Sequence, residues 1–117
     1  MSTTLRRHEM FIGGRWVPGE GRGYQEIVNP ATGKVIAEVP KGTEEDVNLA
    51  VRAARDAFDD VWYDTTPRDR SEMLLKLADV LMLHGDELAR IESENVGKPL
   101  APTISEEIPP IVDCFRF

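Results

Sequence analysis

Residues 27–40, IVNPATGKVIAEVP, restrict this chain more than any other stretch. An apolar run ends at Val28-Asn29-Pro30, and Ala31-Thr32-Gly33-Lys34 reads as a turn. A second run, Val35-Ile36-Ala37-Glu38-Val39, stops at Pro40. Pro30 fixes φ near about −65° and suits the first central position of a turn, while Gly33 takes φ > 0 at no steric cost. Two β-rich runs around such a turn predict a β-hairpin. The rest of the chain reads as helices placed beside it.

Upstream, residues 10–17 (MFIGGRWV) read as a strand, a two-residue Gly13-Gly14 loop and a second strand. Residues 1–9 read as a disordered tail. The loop PGEGRG at 18–23 carries Gly19, Gly21 and Gly23, which invites comparison with a phosphate cradle. A dinucleotide fingerprint needs a strand before it and a helix directly after it. Residues 24–28 look like strand instead, so the glycines read as turn residues.

Downstream the pattern changes to helical. Thr43 is a good N-cap, followed by Glu44, Glu45 and Asp46 in the first turn, where the helix dipole favours negative charge. Val47, Ala50, Val51, Ala54, Ala57, Phe58 and Val61 repeat at helical spacing and predict one buried face. Thr66 and Pro67 supply the N-cap and first position of a second helix. Its Leu74, Leu77, Ala78 and Leu81, widened by Met73, Leu75, Val80 and Met82, predict burial on more than one side. Gly85 is expected to close it in a left-handed conformation. A third helix then runs from Asp86 to Val96, with Leu88 and Ile91 inward and Gly97 as its stop. Ile108, Ile111, Val112 and Phe115 form a fourth helical set, with Thr103 or Ser105 as its cap. Pro109 and Pro110 either start that helix or kink it.

The composition excludes more than it identifies. A net charge of −7 among 117 residues gives no cationic footprint for nucleic acid or an anionic membrane. No apolar run reaches the roughly 20 residues of a spanning helix, and no secretory pattern follows the N-terminal arginines. A single cysteine, Cys114, permits no internal disulfide and fits a reducing compartment, so a cytoplasmic location is expected. The chain stops at Phe117 inside a helical pattern, which suggests a truncated sequence. Cys114 lies late in a helix beside Asp113, a poor setting for a thiolate, and reads as a packed residue. His8 and His84 have no partner at zinc-ligand spacing. Glu92 and Glu94 read as solvated helix surface, and Glu106-Glu107 is the remaining carboxylate pair.

Six segments, in order, resemble the N-terminal part of the aldehyde dehydrogenase superfamily: FIGGRW at 11–16, VNPATG at 28–33, VNLAVRAARDAF at 47–58, RSEMLLKLADVL at 70–81, ESENVGKPL at 92–100 and EIPPIVDCFRF at 107–117. The nearest subgroup resembles the aminobutyraldehyde dehydrogenases, through Thr65-Thr66-Pro67, LLKLAD at 74–79 and EIPPIVD at 107–113. The resemblance implies an α/β, Rossmann-type family. This chain would be its α+β N-terminal piece, with β-hairpins followed by about four helices and residues 1–117 forming an incomplete dinucleotide-binding domain. It implies oxidation of aldehydes, aminoaldehydes in that subgroup, to carboxylic acids with NAD(P) as acceptor, in a homodimer or homotetramer. In such enzymes a cysteine thiolate attacks the aldehyde, hydride passes to nicotinamide, and a glutamate activates the hydrolytic water. The matching cysteine, glutamate, asparagine and cofactor loop fall outside these 117 residues, so no catalytic or cofactor-binding residue is expected here and this piece alone is expected to be inactive. A non-catalytic module that docks on a full-length dehydrogenase is the alternative. One family site does map onto the chain: a K+ or Na+ site formed by the carbonyls of Ile27 and Val28 and the carboxylate of Glu107. Hard cations prefer such oxygen ligands.

Overall fold

The computed structural model describes residues 5–19, 21 and 23–117. They form two compact units, Met1–Val28 with Gly33–Asp64, and Asn29–Thr32 with Thr65–Phe117.

The first unit holds two small sheets. Strands β2 (Met10–Ile12) and β3 (Arg15–Val17) pair antiparallel, with Phe11 opposite Trp16. Gly13 and Gly14 both take positive φ, 59° and 75°. Two left-handed residues in a row give the tight turn whose twist matches a hairpin. Strand β1 (Arg6–Arg7) pairs parallel with β5 (Lys34–Pro40), which also borders β4 (Tyr24–Asn29). This corrects the expected disordered tail over 1–9 in its second half; residues 1–4 lie outside the described residues, as do Glu20 and Arg22 of the glycine loop. The cause is the edge of β5. Its backbone pairs with Arg6 and Arg7, and Glu38 adds a 2.6 Å ion pair to Arg7, whose guanidinium also lies 4.7 Å from the Tyr24 ring centre.

Helix α1 (Glu44–Ala57) starts on a reciprocal capping box. The Thr43 N–H donates to Asp46 Oδ2 at 2.9 Å, and the Asp46 N–H donates to Thr43 Oγ1 at 3.2 Å. Asp46 is nearly buried, and a Cβ built on Gly13 would sit 3.5 Å from that of Ala53, so the helix meets the β2–β3 hairpin through small side chains. The expected buried face lies elsewhere and is open. Val47, Val51 and Val61 are 59%, 62% and 64% exposed. The periodicity marks an apolar stripe correctly, but no described element of this chain covers it.

The second unit contains α2 (Pro67–Leu83), α3 (Gly85–Val96), the short α4 (Leu100–Pro102) and α5 (Ile108–Arg116). Its core is Ala78, Ala89, Ile108 and Val112, with Leu81, Leu100, Ile104 and Phe115 packed against it. Helix α2 is therefore buried along one line only; Leu74, Leu75, Val80 and Met82 remain exposed. On α3 the inward residue is Ala89, one position from the expected Leu88, while Ile91 is exposed. Gly85 takes no positive φ and opens α3 rather than closing α2, with His84 as the shared cap residue. It is glycine for another reason: a Cβ there would lie 2.9 Å from Ile108 Cγ2.

Neither Thr103 nor Ser105 caps α5. Their hydroxyls donate backwards to the carbonyls of Pro99 (2.9 Å) and Ala101 (3.0 Å) inside a π-helical turn, Thr103–Glu107. Pro109 and Pro110 lack N–H groups, so the i→i−4 ladder cannot continue at two successive positions. A turn with one extra residue precedes them, the usual form of a π insertion.

Thr66 and Asp69 form a second capping box at the start of α2, with Pro67 in the first turn. Hydrogen bonds from the Thr66 hydroxyl and then its backbone N–H hold the Asp69 carboxyl below its ordinary 3.8. A lowered native pKa means the ionised form stabilises the helix. That contribution is complete above pH 3.8 and is lost as pH falls through the lower native value. In an acid titration followed by circular dichroism, Thr66→Ala is expected to lessen the helix loss that sets in below this pH. An unchanged profile would remove the box as its cause.

Candidate functional site

The residues of the expected cation site fall in both units. Ile27 and Val28 lie in β4 of the first, Ile27 half-buried and Val28 exposed. Glu107 ends the π-helical turn in the second. Its surroundings there are well defined. Lys98 Nζ donates to Glu107 Oε2 at 2.7 Å and lies 3.1 Å from Glu92 Oε1. Both carboxylates raise the Lys98 pKa, the hydrogen bond to Glu107 being the larger cause.

Local folding brings these three charges together. Gly97 ends α3 with φ +80°, reversing the chain, and its N–H donates to the Ser93 carbonyl at 2.9 Å. The Ser93 hydroxyl then donates to the Lys98 carbonyl at 2.6 Å, fixing the backbone from which the lysine reaches out. The π-helical turn presents Glu107 from the other side. Sequence reasoning singled out Glu107 and read Glu92 as plain surface; it missed Lys98. The only available signal was a lysine directly after the helix-stop glycine, which by itself names no partner.

Beside this cluster lies a half-open cavity of about 350 Å³. Its aliphatic lining comes from Leu81, Leu88, Ile91, Ile108, Ile111 and Val112. Glu92, Lys98 and Glu107 edge it, together with the buried Thr103. Leu88 and Ile91, expected inward, thus face a space rather than the packed core.

Other candidate groups stand apart. Cys114 is a free, exposed thiol on α5, not a packed residue. His84 Nδ1 lies 3.2 Å from Glu87 Oε2 on the helix surface. Among the described residues, no three histidine, cysteine or acidic side chains gather as a metal-holding group, and no helix is long and apolar enough to cross a membrane.

Residues 16–117 match the aldehyde dehydrogenase family. Phenylacetaldehyde dehydrogenase of Pseudomonas fluorescens is 47% identical over 94 residues, which cover 80% of this chain and 19% of that protein. The NAD+ complex of an aldehyde dehydrogenase from Bacillus cereus superposes with a TM-score of 0.89 at 38% identity, covering 95% of this chain and 23% of that one. The gamma-glutamyl-gamma-aminobutyraldehyde dehydrogenase of Burkholderia cenocepacia gives 0.88 at 36% identity, covering 98% and 23%. The chain spans about a fifth of the length of the relatives it matches. It shares with them both the ordered sequence segments and the arrangement of strands and helices, and it belongs to the aldehyde dehydrogenase family.

Proposed function

We propose that these 117 residues are the N-terminal part of the dinucleotide-binding domain of an NAD(P)-dependent aldehyde dehydrogenase that oxidises aldehydes, aminoaldehydes in particular, to carboxylic acids in the cytoplasm. The observation that carries this reading is the family match over residues 16–117 at about a fifth of the relatives' length. The aminoaldehyde preference rests on the subgroup segments and on the likeness to the Burkholderia cenocepacia enzyme. The nucleophilic cysteine, the general-base glutamate, the oxyanion asparagine and the cofactor loop belong to other sequence. Cys114, an exposed thiol late in α5 beside Asp113, does not match the family's nucleophile in this reading. The assembled enzyme is a homodimer or homotetramer in this reading.

The chain's contribution is structural. Co-expression with a family member lacking its own region equivalent to residues 1–117 is expected to restore NADH formation that neither piece shows alone. Association without activity would count against the assignment. A second reading, a module that docks on a full-length dehydrogenase without completing its site, is favoured by the open stripe Val47, Val51 and Val61 on α1. Co-purification with an intact dehydrogenase whose own N-terminal region is present supports that version.

The cation site is part of the same proposal: K+ or Na+ held by the carbonyls of Ile27 and Val28 and by Glu107. Lys98 engages Oε2 of Glu107, which leaves Oε1 for such an ion. Replacing tetramethylammonium by K+ at constant ionic strength is expected to raise the melting temperature of the chain, and Glu107→Ala to abolish the rise. An equal rise in the variant would remove Glu107 from the site.

A further inference from the structure

The cavity of the second unit has no role in the family reaction set out above, and its composition is selective. Its volume of about 350 Å³ is at the lower end of ligand-pocket sizes, and its floor is aliphatic. Its charged edge consists of two carboxylates and one ammonium, a net charge of −1. We propose that this cavity binds small primary alkylammonium ions, the alkyl chain on the aliphatic floor and the ammonium at Glu92 and Glu107.

Three observations support this class of ligand. The two carboxylates already converge on one ammonium, Lys98 Nζ, at 3.1 and 2.7 Å, so their spacing suits a –NH3+ group. Lys98 engages one oxygen of each, Glu92 Oε1 and Glu107 Oε2; among the described residues the second oxygen of each carboxylate makes no hydrogen bond or ion pair. The Lys98 side chain is itself 41% exposed, so it has water to withdraw into when a ligand ammonium takes its place. A ligand carboxylate would instead meet two negative groups for one positive, and a neutral alcohol would gain only the apolar contact. An alkyl chain entering the cavity removes its own surface and that of Leu81, Leu88 and Ile111 from water, which supplies the drive to bind.

The test uses n-hexylammonium chloride as probe, with hexanoate and hexan-1-ol as charge controls, on the whole 117-residue chain at neutral pH and low salt. Methyl resonances of Leu81, Ile91, Ile108, Ile111 and Val112 are the readout. Hexylammonium is expected to shift them with an affinity about tenfold above that of hexanoate, as expected for one unit charge at an exposed edge. That preference is expected to shrink as NaCl is raised. Glu92→Gln with Glu107→Gln is expected to remove it while hexanol binding persists. The salt series on the unaltered chain stands on its own should the double variant fail to fold. Equal binding of hexanoate, a salt-independent preference, or shifts confined to residues outside the cavity would each overturn the proposal.

Discussion

Val112→Asp is expected to unfold the helical unit of this chain. Val112 is fully buried on α5, among Ala78, Ala89 and Ile108. A carboxylate there loses its hydration and finds no spare cation: Lys98, on the edge of the same cavity, is already paired with Glu92 and Glu107, and Arg116 with Asp79. An unpaired charge in such a place is either desolvated or neutralised by an extreme pKa shift, and either route costs several kcal/mol. A unit this small has only a few kcal/mol of stability to lose. Urea denaturation followed by circular dichroism is expected to show no cooperative helical transition for the variant. Val112→Ala, which removes two methyl groups and adds no charge, is expected to lower stability by about 2 kcal/mol and keep the fold. A cooperative Val112→Asp transition within about 1 kcal/mol of the parent would mean that this core does not hold α2, α3 and α5 together.

Gly97→Ala is the second large effect. The residue sits at φ +80°, where a side chain costs about 1 kcal/mol or somewhat more. An added Cβ would also lie 2.8 Å from Cγ of Pro30, a rigid ring that cannot rotate away. The two together are expected to cost about 2–3 kcal/mol. A double-mutant cycle separates them. In a Pro30→Ala background the clash is gone and only the backbone term should remain, so the two substitutions should couple by about 1 kcal/mol or more. Strict additivity would show that Pro30 does not press on Gly97. The same substitution is expected to loosen Lys98, the next residue, from Glu92 and Glu107, and so to strengthen the alkylammonium preference of the cavity.

This dependence shows what was legible from sequence and what was not. Local chemistry read well. The Gly13-Gly14 hairpin, the Thr43 and Thr66 caps, the Pro67 start and the Gly97 stop all lie in the structure where residue type put them, since each is decided by its immediate neighbours. Asn29 adds a detail: its side chain accepts the Ala31 N–H at 2.9 Å and locks the turn that Pro30 begins. What failed needed distant partners. Apolar spacing on α1 and α2 located stripes but could not say that much of each stays uncovered by the described residues. Ala89 lies inward in place of Leu88 because close helix packing around Gly85 and Ile108 selects small residues, a preference that hydrophobicity alone does not carry. Arg6–Arg7 became a strand through Glu38, more than thirty residues away, and Lys98 met Glu107 only because of a π-helical turn. The family resemblance needed no such contacts, since it rests on ordered segments.

In the function proposed above, the chain supplies framework to an aldehyde dehydrogenase and no catalytic residue. The most direct test is NADH formation by the purified 117-residue protein, supplied with NAD+ and a panel of aminoaldehydes and phenylacetaldehyde. No aldehyde-dependent NADH above the protein-free rate is expected at any enzyme concentration. Turnover that scales with protein and disappears when aldehyde is left out would contradict the account.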